Sequence, residues 1–173
     1  VQMFVVSNGV ETRYIAANKN GEMNEKFLSR WVDEKNEPVD DYLGFAKDVL
    51  NIPAAHLMIG NYSVIDQEKR KLILLRPYQI HAIDKIKEAS RKQESGFVWH
   101  TTGSGKTLTS YTVTKNLLDI PAIDKTIFLI DRKDLDQQTS NDFQSYAEND
   151  DVDIEDTART SVLEDKLLND SRI

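Results

Sequence analysis

The sequence predicts an α/β fold with a parallel sheet, and three observations within residues 96–130 predict it. A run of large apolar residues, Phe97, Val98 and Trp99, breaks into a loop of small ones, Thr101-Thr102-Gly103-Ser104-Gly105-Lys106-Thr107. That loop opens a helical pattern, LTSYTVTKNLLDI, and a second apolar run, KTIFLI, follows it. This is the order of a strand, a phosphate loop, a helix and a parallel strand. Gly103 and Gly105 let the backbone curl so that successive N–H groups point inward, at the positive end of the helix that follows. Lys106 supplies a point charge for the outer phosphates of a nucleoside triphosphate. The Thr107 hydroxyl stands where it can ligate the accompanying Mg ion. In the pattern G-x-x-x-x-G-K-[ST] the first Gly position is held by His100, so the loop departs from the strict motif while keeping the residues that touch phosphate and metal.

The elements before this unit read in order as follows. Residues 2–6 and 10–16 are β-rich runs joined by Ser7-Asn8-Gly9, the signature of an antiparallel hairpin. A second Asn-Gly, Asn20-Gly21, marks a loop, and residues 27–32 read as a third strand with an ambiguous pattern. Asp40 or Asp41 caps a helix whose apolar positions Tyr42, Phe45, Ala46 and Val49 recur at helical spacing. Residues 53–59 read as another short helix, and residues 61–65 and 71–75 as two strands around the charged turn 66–70. Arg76-Pro77-Tyr78-Gln79 opens a helix through Lys92 on the spacing Ile80, Ile83, Ile86. Beyond the second parallel strand, a helix ending at Ala147, an acidic loop over residues 148–156 and a short helix over 162–168 complete the chain. The expected division is residues 1–70, the end of one domain plus a connector, and residues 71–173, the start of a nucleotide-binding domain.

At 173 residues and 39% hydrophobic, the chain can bury a core, though an ATP-driven motor needs more. No apolar run reaches the length of a membrane span, and the start lacks the basic flank of a signal peptide. The first residue is not Met, which reads as a piece of a longer chain. Zero cysteines exclude disulfides and thiolate metal sites and fit a cytoplasmic location. A net charge of −7 excludes a uniformly basic nucleic-acid surface but leaves local basic patches open.

Several side chains are candidates for chemistry. A glutamine amide can donate to and accept from the adenine edge at once, so Gln79 is a candidate for selecting ATP, with Arg76 or Tyr78 packing on the ring. The plainer alternative is a helix start with Pro in its first turn. Arg132 and Lys133 lie at the carboxyl end of the second parallel strand, where ligands of open α/β sheets collect, and could meet a nucleic-acid phosphate. The alternative there is a charged loop whose Asp134 caps the next helix. His56, His81 and His100 do not share metal-ligand spacing. Phe97 and Trp99 read as strand core rather than base-stacking platforms. Asp33-Glu34-Lys35 superficially offers a nuclease element without a partner carboxylate and is taken as coincidence. No apolar run ending in Asp-Glu follows Ile130, so the chain should bind nucleotide better than it hydrolyses it.

Residues 97–110 (FVWHTTGSGKTLTS), the Arg76-Pro77-Tyr78-Gln79 before them and residues 130–138 (IDRKDLDQQ) after them closely resemble the restriction subunit of type I restriction-modification enzymes. His100 in place of the first Gly is a mark of that family, and the N-terminal VVSNGVETRY is similar to the segment that leaves its nuclease domain. The resemblance implies a partial RecA-like P-loop domain with a parallel sheet, preceded by the C-terminal strands and helices of an α+β nuclease domain. It implies a subunit that works with methyltransferase and specificity subunits, translocates double-stranded DNA using ATP and Mg, and cleaves it. By that likeness Gln79 belongs to the adenine-reading motif, with Arg76 and Tyr78 beside it. Thr102, Gly103, Ser104, Gly105, Lys106 and Thr107 form the phosphate loop, Lys106 and Thr107 its catalytic members. Arg132 and Lys133 belong to the first DNA-contacting motif. The nuclease residues would lie before Val1 and the magnesium-binding carboxylates after Ile173. Two other readings stay open: another superfamily-two helicase or translocase, and a nucleotide-regulated docking module without catalysis.

Overall fold

The computed structural model describes residues 3–17, 23–130, 133–150, 152–157 and 159–168, with the backbone alone at 133–136. The chain forms two compact units, Val1–Val98 and Trp99–Ile173, in a mixed α/β arrangement of small sheets and helices.

The first unit opens on the expected hairpin. Strands β1 (Met3–Ser7) and β2 (Thr12–Ala16) pair antiparallel, with Met3 opposite Ala16 and Ser7 opposite Thr12. Asn8 makes the turn: its side-chain oxygen accepts the N–H of Val10 at 3.0 Å and of Glu11 at 2.7 Å, the local bonding that favours Asn in turns. The Asn20-Gly21 loop lies outside the described residues. The third strand expected over residues 27–32 is not formed. The chain makes a 3-10 turn at Glu25–Phe27, touches β2 through the reciprocal Tyr14 and Ser29 bonds of 3.0 and 2.8 Å, and then bridges Val32 to Pro38. Phe27 and Leu28 both face solvent, which breaks the alternation of a half-buried strand, and Pro38 has no N–H with which to extend a ladder.

Asp41, not Asp40, is the cap of α1 (Tyr42–Phe45), its carboxylate accepting the Gly44 N–H at 2.8 Å. Asp40 instead pairs with Arg30 and, at 3.3 Å, with Arg13. The hydrogen bond from Arg30 is the main reason its carboxyl stays below the usual carboxylate range. After a wider π turn, Ala46–Leu50, Asn51 caps α2 (Ile52–Gly60) by accepting the Ala54 N–H at 3.1 Å. A second antiparallel hairpin follows, β3 (Ser63–Asp66) with β4 (Lys71–Leu74). Its turn is held by the buried Asp66 carboxylate, which accepts from the Lys69 N–H at 2.9 Å and the Lys69 ammonium at 3.0 Å.

Helix α3 (Pro77–Arg91) closes this unit with Ile80 and Ile83 buried. The Tyr14 hydroxyl donates to the Leu75 carbonyl at 3.2 Å, tying β2 to the chain leaving β4. From α3, His81 Nε2 donates to the Val32 carbonyl at 2.9 Å, with its ring 5.6 Å from that of Trp31. Phe45, Val49, Leu75 and Ile83 are essentially inaccessible, and each such side chain contributes about 1.5–3 kcal/mol by leaving water.

The second unit holds α4 (Lys106–Leu118), α5 (Lys133–Ala147) and α6 (Thr160–Leu168). Helix α4 is rich in β-branched threonine, a weak helix former. Its Thr109, Thr112 and Thr114 hydroxyls bond back to the carbonyls of Gly105, Leu108 and Ser110, which satisfies them at little gain to the helix. Packing therefore holds α4 in place: the Tyr111 ring lies 5.5 Å from Phe143 and 5.3 Å from Tyr146 of α5, and Phe128 stacks on Phe143 at 5.2 Å. The acidic stretch after α5 is irregular where described, as expected, but it is anchored. Asp150 accepts from the Tyr111 hydroxyl at 2.6 Å and pairs with Lys115 at 2.7 Å.

All strand pairing among the described residues is antiparallel. The two runs read as parallel strands, residues 97–99 and 125–130, carry no ladder. Phe97, Trp99 and Leu129 are 91%, 90% and 90% exposed, so Phe97 and Trp99 are not strand core here. A parallel strand is buried because strands flank it and helices cover both its faces, and no described strand lies beside either run. No helix among the described residues is long and apolar enough to cross a membrane.

Candidate functional site

The loop over residues 100–106 is built around one backbone carbonyl. Thr101 O accepts from the Ser104 hydroxyl at 2.8 Å, from the Ser104 N–H at 3.4 Å and from the Lys106 ammonium at 3.1 Å. His100 Nδ1 stands 3.0 Å from the same Ser104 hydroxyl. This turn needs left-handed backbone at Gly103 (φ 76°) and Gly105 (φ 80°), a conformation that costs other residues roughly 1 kcal/mol or more. A β-carbon added at Gly103 would meet nothing within 4 Å, so the loop is open on that side.

Gly105 is also the residue from which α4 starts, and no side chain caps that start. The first-turn amides of an α-helix have no partner within the helix and carry the positive end of its dipole. Thr107, half-buried, lies in that first turn, and the Thr109 N–H returns to Gly105 O at 2.9 Å. Lys106 is exposed and can leave Thr101 O without unpacking anything. Together the loop offers an anion a helix start and an ammonium beside open space.

The remaining candidates are distributed. Gly103, Ser104, Gly105, Lys106 and Thr107, with Thr102 before them, form one continuous loop and helix start in the second unit. Arg76, Tyr78 and Gln79 belong to the first. The Gln79 side-chain oxygen accepts the Arg76 N–H at 2.9 Å and closes the first turn of α3, with Gln79 buried and Tyr78 partly exposed. Arg132 lies outside the described residues. Lys133 is the first residue of α5. Sequence reasoning missed the Thr101 carbonyl as the hub of the loop, although the four-residue spacing of His100 and Ser104 was its available signal. It also missed the anchoring of Asp150, for which no local signal exists, since Lys115 is 35 positions away.

Residues 72–171 match the family described as "Type III restriction enzyme, res subunit". The chain is 41% identical over 148 residues to a type I restriction enzyme endonuclease subunit of Staphylococcus aureus (strain COL), spanning 85% of this chain and 16% of that protein. It is 38% identical to the corresponding subunit of Staphylococcus saprophyticus over the same shares of length. Against the C-terminal part of a type I restriction enzyme endonuclease subunit of Mycoplasma pneumoniae it is 36% identical over 153 residues, covering 82% of this chain and 72% of that one. The chain thus spans about a sixth of the staphylococcal relatives. With the res-subunit match covering more than half of its residues and the mycoplasmal relative covered over most of its length, the chain belongs to the family of type I restriction enzyme endonuclease subunits and matches the res-subunit family over residues 72–171.

Proposed function

We propose that the chain is the ATP-binding part of a subunit that translocates double-stranded DNA and cleaves it, working with methyltransferase and specificity subunits in the cytoplasm. The observation that carries this is the loop from Thr101 to the start of α4: two left-handed glycines, an uncapped helix start and an ammonium on one open turn. In this reading residues 71–173 begin a RecA-like lobe in which residues 97–99 and 125–130 are parallel strands. Their exposed Trp99 and Leu129 are then the faces that the rest of that lobe covers. Residues 1–70 are the end of a nuclease domain and a connector.

ATP with Mg supplies the phosphoanhydride bond whose hydrolysis drives the motor. The donor set fits such a group: amides at the head of α4 for phosphate oxygens, Lys106 for the outer charges, and the Thr107 hydroxyl as a hard oxygen ligand of the kind Mg takes. Lys106 would give up its bond to the neutral Thr101 carbonyl for one to a phosphate oxygen, where its charge would be paired. Arg76, Tyr78 and Gln79 hold the adenine, and Arg132 and Lys133 meet the DNA backbone. In the intact subunit within its complex, Lys106→Ala should lower DNA-stimulated ATP hydrolysis by about 100-fold or more, as removal of a group that stabilises transition-state charge does, while leaving the thermal unfolding midpoint nearly unaltered. Undiminished phosphate release would remove Lys106 from the site.

A further inference from the structure

We infer that His100, the residue standing where the phosphate-loop pattern has its first glycine, is a positioning residue that holds the loop in shape by donating a proton from Nδ1 to the Ser104 hydroxyl. The direction follows from counting protons. Ser104 Oγ has a single hydrogen and lies 2.8 Å from the Thr101 carbonyl, which can only accept. If that hydrogen turned toward His100, two oxygens would face each other at 2.8 Å with no proton between them. With the hydroxyl donating to Thr101 O, its lone pair accepts from His100 Nδ1 at 3.0 Å. His100 is therefore fixed in the Nδ1–H form, since the bond a ring nitrogen makes sets where the proton resides.

The consequence lies in the nucleotide exchange at Lys106. Thr101 O is shared between Lys106 and Ser104, and were Lys106 to leave for phosphate, the Ser104 hydroxyl at 2.8 Å, with the longer bond from the Ser104 N–H at 3.4 Å, would keep that carbonyl bonded and the turn closed. His100 locks this hydroxyl in the donating orientation, so the loop keeps its geometry in both states of Lys106. This rests on the proposed phosphate-binding role of the loop, but the tautomer can be tested without it.

The chain has three histidines, so 15N-histidine NMR at about pH 8, where an ordinary histidine is neutral, resolves His100 directly by comparison with a His100→Asn sample. A protonated Nδ1 is expected, and a bare Nδ1 with the proton on Nε2 overturns the inference. In Mg-ATP titrations of the intact subunit, His100→Ala and Ser104→Ala should each weaken binding about fivefold, the scale of one lost hydrogen bond. The double variant should be no weaker than either single one, because the two residues act in series. His100→Asn, whose side-chain amide places a donor near the Nδ1 position, should restore most of the affinity. Independent, multiplying losses, or an Asn variant as weak as the Ala one, would overturn the inference. If Lys106→Ala binds Mg-ATP as tightly as the unaltered subunit, the phosphate-loop reading fails instead, and the NMR result still decides the tautomer.

Discussion

Tyr14 and Tyr62 show how single residues link packing to pH in the first unit. Burial pushes both phenols well above their ordinary value, and for Tyr62 the hydrogen bond to Asp84 adds to it. An unfolded tyrosine loses its proton near pH 10, and these two hold theirs to higher pH while folded. The stability they contribute is therefore complete below about pH 10 and is lost as pH rises toward the folded values. Denaturant midpoints should hold level up to about pH 10 and fall above it, and Tyr14→Phe should flatten part of that fall. Phenolate absorbance showing both groups titrating at their ordinary pH in a still-folded chain would refute this. Residue-scale contacts of this kind were hard to read in the sequence. The pairings of Tyr62 with Asp84 and Tyr111 with Asp150 join positions far apart in the chain, and no periodicity announces them.

Local elements were more legible. The Asn8 turn, the short helix read over residues 53–59 and the helix opened by Arg76-Pro77 follow from backbone preferences that act over a few residues, and these elements form close to where the residue pattern places them. The choice between Asp40 and Asp41 could not be made locally, because two arginines from elsewhere in the unit claim Asp40. The strand expected over residues 27–32 failed for a similar reason: its apolar residues do not alternate, so a single reciprocal pair with Tyr14 is all that β2 captures. Helix α3 carries a prediction of its own. The Gln79 side-chain oxygen closes the helix start through the Arg76 N–H, so Gln79→Ala should cost about 1 kcal/mol of stability, as loss of a cap does. It should also weaken the preference for ATP over GTP. A loss of stability with nucleotide preference intact would confine Gln79 to the helix start, and no change in either would contradict both roles.

At the scale of the whole molecule, the turn over residues 101–105 was the most legible feature, because its two left-handed glycines lie in a run of adjacent residues that carry their own turn. The sheet expected around it was the least. Strand burial is a property of neighbours, and the apolar runs at residues 97–99 and 125–130 find none among the described residues, leaving Trp99 and Leu129 in solvent. The staphylococcal relatives are about six times longer than the stretch this chain matches. The proposed phosphate cradle lies within the second unit alone, in residues 101–107 at the head of α4. Its most direct test is a calorimetric titration of the chain with ATP and magnesium, alongside Lys106→Ala. Saturable binding at one site per chain, removed by the substitution, is expected; absence of binding, or binding that survives loss of the Lys106 ammonium, would rule out the proposed cradle.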